Sequence, residues 1–112
     1  MNIKMLTSVV LGCFFWGTAM ADGAPSASKL YEYHGCINCH GTNGGNPVSP
    51  MVPSLAGKPA DKLYEKGTRI LNGQGETRES GLMHAALYSP SQCDSPPTDV
   101  ELRQISIWLS DQ

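Results

Sequence analysis

Beyond one continuous apolar run near its start, the chain sets its hydrophobic residues at helical intervals, separated by polar segments rich in glycine and proline. Ala27, Leu30, Tyr31 and His34 fall at i, i+3, i+4 and i+7, one face of a helix that Ser26 or Ser28 can cap. This helix is expected to deliver Cys36 and Cys39 to the same side, with Gly35 allowing a neighbour to approach closely. Pro59 suits a first helical position. Leu63, Tyr64, Gly67, Ile70 and Leu71 follow at helical spacing, with Lys62, Glu65, Lys66 and Arg69 mostly on the other side. Asn72 and Gly73 predict its stop. A third helix is predicted over Asp99–Ser110: Thr98-Asp99-Val100-Glu101 reads as a capping box, and Leu102, Ile105, Trp108 and Leu109 form one apolar face.

The intervening segments have turn composition. Gly41–Pro50 carries Asn43, Gly44, Gly45, Asn46 and Pro47, and cannot build a core of its own, although it can wrap around one. Gln74–Gly81 reads as a polar loop, Gly81–Leu87 as one short turn of helix, and Ser89–Pro97 as a loop holding Cys93. No alternating strand pattern and no internal repeat is visible, so the expected class is all-α.

The run from Met5 to Trp16 follows Lys4 and precedes Ala19-Met20-Ala21, the layout of a secretory signal cleaved before Asp22. The run is short for a membrane span. The expected organisation is a cleaved signal over 1–21, a flexible arm over 22–27 and one domain over 28–112, located in the periplasm. An uncleaved anchor, or lipidation at Cys13, is the alternative; apolar residues continuing past Cys13 argue against lipidation. Without Lys4, ten acidic side chains stand against seven basic ones. No basic footprint for nucleic acid is present, nor a Lys/Arg cluster for anionic lipid, and no stable membrane insertion is expected after cleavage.

Candidate chemistry concentrates in Cys36-Ile37-Asn38-Cys39-His40. This is the C-x-x-C-H arrangement of c-type haem attachment: two thiols one helical turn apart, then an imidazole. A mature chain of about ninety residues is small for a hydrophobic core, and a large apolar macrocycle would complete it.

With this motif after a first helix, Pro53-x-Leu55 beyond it, a middle helix, Met83 and a closing helix, the chain resembles the class I, or mitochondrial-type, monohaem c-type cytochromes from about Ser28 to Leu109. The motif is the specific part, Pro53-x-Leu55 less so, and each terminal helix is weak alone. The resemblance implies a small cytochrome c fold of three to five helices around one covalently bound haem c. It implies thioethers at Cys36 and Cys39, His40 as the proximal iron ligand, and Met83 as the distal one. It further implies a Pro53 carbonyl that accepts the other ring N–H of His40, a haem pocket including Leu55 and Tyr64, and terminal helices that meet through Tyr31 and Trp108. Proline often follows the methionine in this family, and here His84 stands instead, which leaves a bis-histidine site as an alternative. Met51, between Pro50 and Pro53, is a weaker ligand candidate, and His34 is expected to be packed or at the surface.

The implied function is single-electron transfer between redox proteins by Fe3+/Fe2+ cycling, not catalysis. The competing readings are a haem enzyme or gas-binding protein with a displaceable sixth ligand, a dedicated subunit of a periplasmic oxidoreductase, and a haem-free module. The last would use Cys36, Cys39, His40 and Cys93 for zinc, or Cys36 and Cys39 as a dithiol. Cys93 has no evident partner; a buried or half-buried thiol is expected first, with a disulfide-linked dimer or a place near the iron as the alternatives.

Overall fold

The computed structural model describes residues 26–89 and 96–112. Among the described residues there are five α-helices, one 3-10 turn and no strand. They are α1 (Ala27–Tyr33), α2 (Cys36–His40), the 3-10 turn (Thr42–Gly44), α3 (Ala60–Leu71), α4 (Arg78–Leu87) and α5 (Asp99–Ser110). The all-α expectation agrees with this. The signal segment, Cys13 and Cys93 lie outside the described residues.

The Ser26 side chain accepts the amide of Lys29 at the start of α1. The expected continuous helix into the cysteines is broken by Gly35, whose φ of 74° is left-handed. Its amide caps the Glu32 carbonyl at 3.0 Å, and α2 starts on a new axis. Gly35 therefore ends one helix and redirects the chain.

Helix α5 spans the residues expected of it. Thr98 accepts the amide of Glu101, and the Glu101 carboxylate accepts the Thr98 amide at 2.9 Å. The same carboxylate lies 3.4 Å from Nε2 of His34, which is only 3% exposed. The Thr98 amide holds the Glu101 carboxyl below its ordinary value of 4.5; burial opposes the shift, and His34 adds to it. A depressed carboxyl pKa stabilises the fold above the unfolded value and loses that contribution as pH falls through the folded one. Glu101→Gln is accordingly expected to cost about 1 kcal/mol near neutral pH. Urea titrations should show the gap to wild type closing below pH 4.5.

Helix α4 departs from expectation. In place of a loop to Gly81 and one short turn, ten residues are helical from Arg78. The reason is a cap built from Thr77 and Ser80: Thr77 accepts the Ser80 amide, and the Thr77 amide returns to Ser80 Oγ at 3.0 Å. Gly81 consequently sits inside a helix, with open space where a Cβ would be. Gly81→Ala should stabilise the protein by about 0.5–1 kcal/mol, read as a raised melting temperature.

Leu30 and Tyr31 of α1, Leu63 of α3, and Ile105 and Leu109 of α5 form the core, with Cys36, Ile37, Leu55 and Trp108 packed against it. Helix α5 packs on both α1 and α3, while α2 packs on α1 and α4 on α3. The elements bearing Cys36–His40 and Met83 are thus tied together through α5. Among the described residues, no helix is long and apolar enough to cross a membrane.

Candidate functional site

One short helix presents all three groups of the motif. Cys36 is half-buried against the core, Cys39 is exposed, and His40 is 6% exposed. Neither thiol is joined in a disulfide.

The loop after α2 folds back to close over it. Gly41 takes φ 78° and returns its amide to the Ile37 carbonyl, and the Val48 amide reaches the Cys39 carbonyl, each at 3.0 Å. The Gly44 carbonyl then collects the Leu55 amide at 2.7 Å and the Ser54 hydroxyl at 3.3 Å. These bonds carry Pro53 to the imidazole. Nδ1 of His40 donates to the Pro53 carbonyl at 2.9 Å, which fixes the ring orientation.

Burial lowers the His40 pKa; the Pro53 carbonyl opposes the shift, and Lys58 adds to it. The ring is therefore neutral at pH 7, with its proton on Nδ1 and the lone pair on Nε2. That is the form of histidine that binds a metal.

Tyr31 supports the motif from behind. Its hydroxyl donates to the Gly41 carbonyl at 2.6 Å, and its ring meets Trp108 at 5.2 Å between centroids. Burial raises the phenol to about 12, with the nearby Cys36 thiol adding to the shift, so it stays a neutral donor at ordinary pH. Tyr31→Phe should cost about 1 kcal/mol in urea unfolding, since the lost bond is partly buried and Gly41 keeps a second donor, the Gly44 amide.

The remaining expected residues fall in different places. Leu55 is half-buried and packs against the core. Tyr64 is engaged between α3 and α5: its hydroxyl donates to Asp99, and Arg103 lies 4.2 Å from its ring centroid. Met83 is half-buried in the middle of α4. Met51 is 64% exposed and His34 is packed in the interior.

His84 is the alternative ligand that the sequence offers. Its Nδ1 donates to the Ile70 carbonyl at the end of α3, at 2.7 Å. Sequence reasoning missed this bond, and it missed the Tyr31 hydroxyl on Gly41, because each depends on how two helices dock.

Among the described residues, no three His, Cys, Asp or Glu side chains gather to hold a metal ion, so Cys36, Cys39 and His40 do not converge as a zinc set. No family model matches the chain, and no curated protein matches it.

Proposed function

We propose that the protein is a monohaem c-type cytochrome that carries single electrons between redox proteins. In this reading Cys36 and Cys39 hold the haem through thioethers, His40 Nε2 is one axial ligand and the Met83 sulfur the other. The carrying observation is the bond from His40 Nδ1 to the Pro53 carbonyl at 2.9 Å, which assigns one ring nitrogen a fixed donor role and leaves the other for iron.

The donor set fits the group in three further respects. A neutral imidazole is the form iron binds, and burial favours it here. Cys36 lies against the apolar core while Cys39 is exposed, so a macrocycle bonded to both would continue the core outward. The chain is also small, and gains from an added apolar surface.

Bound haem would supply the ferric/ferrous couple, and the chain's part is to hold and tune it. Pro53 makes His40 a more basic ligand by accepting its Nδ1 proton. Met83 offers a soft, neutral sulfur that favours the reduced iron and raises the potential. His84, with Nδ1 committed to Ile70, is not positioned as a mobile acid or base, which supports a carrier over an enzyme. The signal-like start favours export, where such a carrier would work. The acidic balance favours basic partners, with association slowing as salt rises.

The test is a pair of visible spectra, oxidised and reduced, from protein expressed at full length in a host that matures c-type cytochromes. The expected oxidised spectrum contains the weak red band of methionine-to-ferric charge transfer, and the reduced protein should bind carbon monoxide slowly or not at all. Rapid carbon monoxide binding would instead indicate an open sixth position.

A further inference from the structure

The last turn of α3 is capped twice, once by its own chain and once by α4. The amides of Asn72, Gly73 and Gln74 return to the carbonyls of Thr68, Ile70 and Arg69 at 3.0, 3.0 and 2.8 Å. Two side chains of the next helix then add to them. His84 Nδ1 donates to the Ile70 carbonyl at 2.7 Å, and the Tyr88 hydroxyl donates to the Leu71 carbonyl at 2.9 Å.

His84 and Tyr88 are four residues apart, so they stand on one face of α4 and its C-cap, with ring centroids 4.9 Å apart. The other edge of the His84 ring rests over the turn that follows α3. A Cβ on Gly73 would lie 3.6 Å from Cε1 and 3.8 Å from Nε2. Both edges of the imidazole therefore face the end of α3. Carbonyls at a helix C-terminus carry partial negative charge and lack intrahelical partners, so N–H and O–H donors are favoured there.

We propose that His84 and Tyr88 form a latch that fixes α4 to the end of α3 and thereby sets how readily the Met83 sulfur is displaced from iron. The second half of this rests on the function proposed above; the latch itself is a property of the chain. Met83 directly precedes His84 on α4, and α4 packs on α3. A thioether is a weak partner for ferric iron, so an added ligand such as imidazole competes with it. Displacement is easier for a helix free to shift than for one held by two hydrogen bonds. His84 is in this account a positioning residue for the ligand beside it.

The experiment compares the full-length protein with His84→Ala, His84→Asn and Tyr88→Phe by two readouts. Hydrogen exchange reports the latch whether or not haem is attached. In His84→Ala, amides of α4 and the last turn of α3 should exchange about three- to tenfold faster, as expected for one lost hydrogen bond. Tyr88→Phe, which removes only a hydroxyl, should give a smaller increase in the same segment. His84→Asn, whose amide can donate from nearly the same position as Nδ1, should restore much of the protection. The second readout is imidazole titration of the ferric protein, followed by loss of the red band. Affinity should rise about three- to tenfold in His84→Ala, with the band intact before imidazole is added.

Unchanged exchange in His84→Ala would overturn the latch. Faster exchange with unchanged imidazole affinity would overturn its link to Met83, and so would a His84→Ala spectrum showing that an axial ligand itself has been lost. Two other results strike the functional reading instead. Protein that carries no haem contradicts the cytochrome assignment, while exchange still decides the latch. A red band that survives Met83→Ala contradicts the sixth ligand, whatever His84 does.

Discussion

Gly41→Ala is expected to abolish the native form of the loop that follows α2. A Cβ at this position would lie 1.9 Å from the Asn46 carbonyl oxygen, and the obstacle is backbone, not a flexible side chain. The φ of 78° also disfavours any L side chain. Relief would require the 41–48 loop to move off α2, breaking the Val48 amide bond to Cys39 and displacing the segment that leads to Pro53. The cost should be on the order of 4 kcal/mol or more, a large share of the stability of a small domain. Circular dichroism should show a broad or absent thermal transition, with little covalently attached haem recovered. A variant that melts within a few degrees of wild type would mean that this loop is far less tightly closed than its hydrogen bonds indicate.

The second large effect concerns the other side of the site. Under the proposed function, Met83→Ala should remove the red charge-transfer band, lower the reduction potential and make the reduced protein bind carbon monoxide readily, because the proposed soft sixth ligand is gone. The fold should persist, since Met83 is half-buried and outside the core of Leu30, Tyr31, Leu63, Ile105 and Leu109. Voltammetry and a carbon monoxide titration on one preparation would read both consequences. Met51, 64% exposed, provides the control: Met51→Ala should leave band and potential unchanged.

Much of the helical frame is legible in the residues. Helix α5 announces itself because its cap and its apolar face are both local, and a Thr-x-x-Glu box is chemically unambiguous. Helix α3 is equally plain, although Pro59 proves to be its N-cap and Ala60 its first helical residue. Helix α4 is not plain. Its capping partner is Ser80 instead of a longer carboxylate or amide, and Gly81 inside it resembles a stop. The break at Gly35 is hidden for a related reason: one glycine is compatible with a continuous helix or a left-handed turn, and packing decides.

At the site, the C-x-x-C-H spacing is local and therefore readable. Where Tyr64 spends its hydroxyl and what His84 touches are not, since Asp99 and Ile70 reach them only through helix docking. The Pro53 carbonyl stands between these cases. Its meeting with His40 was an implication of family resemblance, and the loop hydrogen bonds gathered at Gly44 give that meeting a physical cause.

The central claim of the proposed function is that Cys36 and Cys39 would bind one haem covalently, with His40 as an axial ligand. Its most direct measurement is the intact mass of the full-length expressed protein under denaturing conditions, paired with haem staining and with Cys36→Ser/Cys39→Ser. The account predicts a polypeptide heavier by one haem, stained after denaturation, and a double variant that has lost both the added mass and the stain. A wild-type chain of unmodified mass that does not stain, from cells maturing other c-type cytochromes, would contradict it.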